Sequence, residues 1–99
     1  MEPTHPDHAI QVHRAQIAAQ DLKILEALNT RIDLVKRLRA FKETQGLPFH
    51  DAAQEDRLLA ALREANQGPV PDEGVEEVFR LILAWTKRVA EGSEAAPED

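Results

Sequence analysis

From Asp7 to Thr44 the chain contains neither proline nor glycine, and this interval constrains the fold more than any other feature. Proline removes a backbone donor and clashes with the preceding turn, and glycine pays a high entropic cost, so both disfavour helix interiors. Within the interval, alternating steps of four and three give Ile10, Arg14, Ile17, Asp21, Ile24, Leu28, Arg31, Val35, Leu38 and Lys42. That spacing returns to one face of an α-helix. Six of the ten positions are aliphatic, so the face is expected to be buried. Arg14, Arg31 and Lys42 on the same face are then expected to be partly desolvated. A buried charge is costly unless something pairs with it, and Asp21 is the only acid in the stripe. Unbalanced positive charge on an apolar face points to an anionic ligand.

The spacing predicts one long helix from about residue 7 to about residue 44, with Asp7 as a capping carboxylate. Gln45-Gly46-Leu47-Pro48 stops it: glycine suits a left-handed cap and proline cannot continue the helix. Asp51 followed by Gln54 has the form of a capping box and opens a second helix, with Leu58, Leu59, Leu62 and Ala65 on its apolar face. Asn66-Gln67-Gly68-Pro69 ends that helix. Asp72 is the expected cap of a third. Val75, Val78, Phe79, Ile82, Leu83, Thr86, Val89 and Ala90 carry that helix to Gly92. Residues 1–6 read as a flexible lead-in, 7–92 as one helical domain, and 93–99 as a disordered acidic tail. No strand and no internal repeat is expected.

Composition narrows the function classes. The net charge of −6 disfavours nucleic acid, although Arg31, Lys36, Arg37, Arg39 and Lys42 face only Asp33 in the 31–42 stretch. With no cysteine, disulfide and thiolate chemistry is excluded. The first eight residues have no apolar stretch, and no segment approaches the length of a membrane span. A cytoplasmic location is therefore expected. His5, His8 and His13 with Asp7 match no compact metal-ligand spacing, so no metal site is expected there.

Helix length raises a geometric conflict. A helix over residues 7–44 is about 55 Å long, whereas a compact monomer of this size has a radius of gyration of about 13 Å. The two shorter helices cannot cover such a rod. The expected fold is therefore all-α, with one long, one short and one medium helix per chain forming an intertwined helical homodimer. Arg14 and Arg31 lie about 25 Å apart along one helix and cannot grip one small ligand within a chain. Antiparallel packing of two long helices would instead set Arg14 of one chain beside Arg31–Lys42 of the other.

At this point the sequence resembles a known family. His13-Arg14-Ala15-Gln16-Ile17, Asn29-Thr30-Arg31, Phe41 through Pro48 and Asp51-Ala52-Ala53-Gln54-Glu55 resemble, in order and spacing, the all-helical chorismate mutases. The resemblance covers about residues 10–91. It implies an intertwined dimer whose two pockets bind chorismate and rearrange it to prephenate without cofactor or nucleophile. Under it, Arg14 is donated from the neighbouring chain, Arg31 holds a substrate carboxylate, and Lys42 hydrogen-bonds the ether oxygen and a carboxylate. Asp51 lies near the substrate hydroxyl and Glu55 contacts it. Thr86 fills a small polar position.

Two positions depart from the family pattern. Gln54 stands where an arginine is usual, and Ala90 where an ungapped alignment places a glutamine that donates to the ether oxygen. A shift in the 67–74 loop would bring Glu91 to that place. The resemblance therefore keeps two further readings open. One is a weakened or inactive relative that binds or regulates, for example as a subunit of another aromatic-pathway enzyme. The other is an isochorismate-pyruvate lyase, which Trp85 weakly suggests. On the residues alone, Asp51 reads as a helix cap, Gln54 as its capping-box partner, and Trp85 as packing beside Val78, Ile82 and Val89.

Overall fold

A computed structural model describes residues 5–92. The expected acidic tail and most of the lead-in, residues 1–4 and 93–99, lie outside the described residues. Three α-helices follow in order: α1 (Pro6–Thr44), α2 (Ala52–Ala65) and α3 (Asp72–Ala90). No strand occurs among the described residues, and no helix there is long and apolar enough to cross a membrane. The chain divides into two compact units, one ending at Arg31 and the other beginning at Ile32.

The first unit holds the N-terminal part of α1. Its start differs from expectation by one residue. Pro6 is already helical, because proline is preorganised for the first helical position, where no donor is needed. Asp7 is therefore not the cap. It sits in the first turn, and its backbone N–H donates to Nδ1 of His5 at 3.2 Å. Large apolar side chains in this unit are exposed, with Ile17 at 61% and Leu22 at 67%.

The second unit holds the end of α1 together with α2 and α3. α1 closes as the sequence requires. Gly46 adopts φ +67°, the Leu47 N–H donates to the Lys42 carbonyl at 2.9 Å, and the Gly46 N–H donates to the Glu43 carbonyl at 3.2 Å. These two bonds form a Schellman motif, for which glycine is suited by its tolerance of positive φ. Asp51 caps α2, with Oδ1 accepting from the Gln54 backbone N–H at 3.1 Å. α3 starts differently from expectation. Its cap is Pro71, without a side-chain bond, and Asp72 lies in the first turn. The reason is Asn66, whose Nδ2 donates to the Asp72 carboxylate at 2.9 Å and to the Val70 carbonyl at 2.6 Å. Asn66 thus ties the end of α2 to the start of α3.

α2 and α3 pack against each other. Leu59 and Thr86 are the buried residues of this packing, with Leu58, Leu62, Phe79, Ile82 and Leu83 half-buried around them. Within the single chain, α2 and α3 leave much of the apolar stripe of α1 uncovered. Ile10, Ile17, Ile24 and Leu38 are exposed, while Leu28 and Val35 are half-buried. The fourteen residues of α2 and nineteen of α3 spend their apolar faces mainly on one another. Trp85 is likewise not packed away within the chain, at 37% exposure, and Val78 beside it is 55% exposed.

The α2–α3 contact carries a titratable link. Glu76 accepts from Arg80 at 2.7 Å within α3 and from Arg63 of α2 at 2.8 Å. The hydrogen bond from Arg80 is the main cause holding the Glu76 carboxyl below its usual range. A carboxyl depressed in the folded state stabilises the fold above its unfolded pKa, and this contribution is lost as pH falls through the folded value. Thermal midpoints of wild type and Glu76→Gln should therefore differ by a constant amount near neutrality. The gap should narrow as pH falls below the ordinary carboxylate range. A gap that stays constant into strong acid would exclude this link.

Candidate active site

The basic stretch 31–42 ends at the junction of three segments: the last turn of α1, the 45–51 linker, and the last turn of α3. Helical spacing puts Arg39 and Lys42 on one side of α1, a turn apart. Lys42 is half-buried, and its Nζ donates to the Phe49 carbonyl over a long 3.4 Å. Its other N–H donors have no protein acceptor among the described residues. Arg39 reaches α3, where Nη1 donates to the Ala90 carbonyl at 2.6 Å. Its guanidinium also lies 5.1 Å from the centroid of the Phe49 ring. His50 Nε2 stands 3.2 Å from Glu91 Oε1, so linker and α3 meet a second time.

The start of α2 faces the same end of α3. Glu55 is half-buried and lies 3.7 Å from the Lys87 ammonium. Asp51 is exposed and serves as the cap. Gln54 does not complete the capping box, because its side-chain carbonyl accepts from Arg57 Nε at 3.2 Å and from Nη2 at 3.0 Å. That guanidinium also approaches Asp51 at 3.9 Å. Thr86 is buried, and its hydroxyl donates to the Ile82 carbonyl at 2.7 Å.

Contacts therefore join Lys42, Ala90 and Glu55 to segments that meet at one end of the second unit. Asp51 and Gln54 stand at the start of α2, and Thr86 is packed inside. Arg31 is half-buried at the end of the first unit and Arg14 is exposed within it. The expected desolvation of Arg14 is thus absent within one chain, because nothing in its own unit covers that face. Glu91 lies 3.2 Å from His50 just past the last turn of α3.

Sequence reasoning missed the roles of Arg39, Phe49, Lys87 and Arg57. Arg39 and Arg57 each had a signal, lying one turn from a residue already singled out (Lys42 and Gln54). The link between Arg39 and Ala90 had none, since no local period connects residues 51 positions apart.

The arrangement gathers cationic donors, Arg39 and Lys42, at one junction. It suits binding of a compact anion and stabilisation of negative charge that develops on one of its oxygens.

Residues 13–91 match the family model described as chorismate mutase type II. A bifunctional chorismate mutase/prephenate dehydratase from Neisseria gonorrhoeae is 30% identical over 78 residues, which cover 79% of this chain and 21% of that protein. The T-protein of Enterobacter agglomerans is 34% identical over 71 residues, covering 71% of this chain and 19% of that protein. The chain thus spans about a fifth of the length of these curated relatives. Two solved structures of a chorismate mutase from Thermus thermophilus, described as forms I and II, superpose with TM-scores of 0.76 and 0.79, at 32% and 31% identity. They cover 79% and 84% of this chain, and 98% and 94% of those chains.

Proposed function

The chain belongs to the chorismate mutase type II family, and from that premise we propose that it rearranges chorismate to prephenate as a cytoplasmic homodimer without a cofactor. The observation that carries this reading is the extent of the match. Residues 13–91 include every residue to which a role is assigned: Arg14, Arg31, Lys42, Asp51, Gln54, Glu55, Thr86 and Ala90.

The proposed mechanism is conformational and electrostatic. Arg31, with Arg14 of the second copy, holds the two carboxylates and fixes the substrate as its compact chair-like conformer. In the rearrangement one carbon–oxygen bond breaks while a carbon–carbon bond forms, and negative charge grows on the departing ether oxygen. The Lys42 ammonium donates to that oxygen, and its charge counts for more where water is excluded. Asp51 and Glu55 meet the ring hydroxyl. No proton need leave the substrate, so the reaction asks for no general base.

The homodimer is supported by the α1 face. Ile10, Ile17, Ile24 and Leu38, which share the stripe, are each more than 45% exposed, and exposed apolar side chains at helical spacing suit an association surface. The bifunctional relative adds a candidate partner, a separate enzyme that consumes prephenate.

The test is prephenate formation from chorismate by the purified chain, measured beside Ala90→Gln. Wild type should turn over, and the glutamine should raise kcat by about tenfold through a second donor to the ether oxygen. Tight chorismate binding with no prephenate would leave a binding protein instead. Salicylate released from isochorismate would favour the lyase reading.

A further inference from the structure

We propose that Arg39 is a positioning residue for the reaction. Its guanidinium clasps the last turn of α3 to the Phe49 linker, and so holds in place the carbonyl to which the Lys42 ammonium donates. The inference rests on the reading of Lys42 as a substrate-holding residue.

The geometry converges on one side chain. Arg39 Nη1 donates to the Ala90 carbonyl at 2.6 Å, short for a bond of this type and charge-assisted. That carbonyl belongs to the final turn of α3 and lacks the next helical turn to bond it. The same guanidinium lies over the Phe49 ring at 5.1 Å, a cation–π arrangement. Phe49 in turn offers its carbonyl to Lys42 Nζ at 3.4 Å. Arg39 Nε adds a 3.5 Å contact to Glu43 one turn on, which steers the side chain along α1.

Moving Arg39 therefore moves two things together: the linker that accepts from Lys42 and the end of α3. The longer, forked guanidinium reaches the Ala90 carbonyl with one Nη while its carbon lies over the Phe49 ring. A lysine ammonium is a single compact point on a shorter stem and does not span both contacts. The bond from Lys42 to Phe49 is long, so Lys42 depends on the linker being held by something else. His50 and Glu91, 3.2 Å apart, close the same junction from its exposed side.

Arg39 does not touch the substrate, so its loss should act on kcat more than on KM. A misplacement of about 1 Å at a reacting contact costs up to about 10²-fold. Arg39→Ala is expected to lower kcat by roughly 10-fold to 10²-fold while changing KM by less than about threefold. Arg39→Lys should lose nearly as much, since charge alone does not form the clasp. Phe49→Leu should lower kcat similarly, and the double variant should fall little further, because both changes break one device. A purely structural role would lower the thermal midpoint and leave kcat of the folded protein unchanged. That result, full rescue by Arg39→Lys, or additive losses in the double variant would each overturn the proposal.

If wild type forms no prephenate, the reading of Lys42 fails on its own, and amide exchange decides the clasp. Exchange at Glu91 and Gly92, whose N–H groups bond to Lys87 and Val89, should quicken about tenfold in Arg39→Ala if the clasp holds the end of α3. Exchange at the wild-type rate would overturn it.

Discussion

Lys42→Ala is expected to lower kcat for prephenate formation by roughly 10³-fold while leaving the helices and the dimer intact. The size follows from what the ammonium does. Removing one preorganised donor to a developing oxyanion commonly costs about 2.7–4 kcal/mol, and Lys42 supplies a full charge as well as a donor. Position 90 is alanine and offers no side-chain donor in its place. The fold should survive for local reasons. Alanine is the best helix former, and the Schellman bond to Leu47 uses the Lys42 backbone carbonyl, not the side chain. Among the described residues, the side-chain bond given up is the long one to the Phe49 carbonyl. Lys42→Gln keeps a donor without the charge and should fall between alanine and wild type. Arg31→Ala should lower kcat/KM by more than about 10²-fold, mainly by raising KM, since it holds a carboxylate in ground state and transition state alike. Prephenate formation at the wild-type rate by Lys42→Ala would remove Lys42 from the chemistry.

Much of the fold was legible because local rules decide it. The interval without proline and glycine set α1, Gly46 set its end, and Asp51 set the start of α2. Each of these depends on bonds between residues no more than five positions apart. Expectation slipped where a more distant side chain intervened. Asp72 stands where a cap belongs, just before an apolar run, but Asn66, six positions earlier, claims its carboxylate. At the other end, Pro6 entered the helix because the first helical position tolerates proline.

The candidate site was legible in its residue types and less so in its connections. Periodicity identified Lys42 and Arg31 as cations on an apolar face. The family resemblance added Asp51, Gln54, Glu55, Thr86 and Ala90. Neither source pointed to Arg39, whose partners Phe49 and Ala90 lie 10 and 51 positions away in sequence. Gln54 shows the same limit on a smaller scale. It satisfied the capping-box pattern, yet its amide turns to Arg57, a stronger donor one turn along. The stripe itself predicted burial, and the single chain leaves most of it exposed. Fully burying one such side chain contributes about 1.5–3 kcal/mol, so a second copy laid on this face would gain several such terms from Ile17, Ile24 and Leu38 alone.

If that second copy also lends Arg14 to the neighbouring pocket, two inactive variants should restore one another. Arg14→Ala and Lys42→Ala are each expected to be nearly inactive as homodimers, because every pocket lacks one cation. In a mixed dimer the defects segregate. One pocket takes Arg14 from the variant that retains it and Lys42 from the other chain, and is intact. The opposite pocket carries both losses. Random pairing makes half of the dimers mixed, each with one working pocket of two, so the mixture should reach about a quarter of wild-type activity per chain. The chains must exchange, and a dimer closed by this much apolar surface exchanges slowly, so the two variants should be refolded together or co-expressed. Lys42→Ala combined with Arg31→Ala provides the control. Those two changes fall in the same pocket from the same chain, so every mixed pocket stays broken and no recovery should appear. Recovery in the first mixture and none in the second would establish that Arg14 acts across the dimer. No recovery in the first, with mixed dimers verified by mass, would place Arg14 outside the pocket and leave the exposed arginine of the first unit without a part in the chemistry.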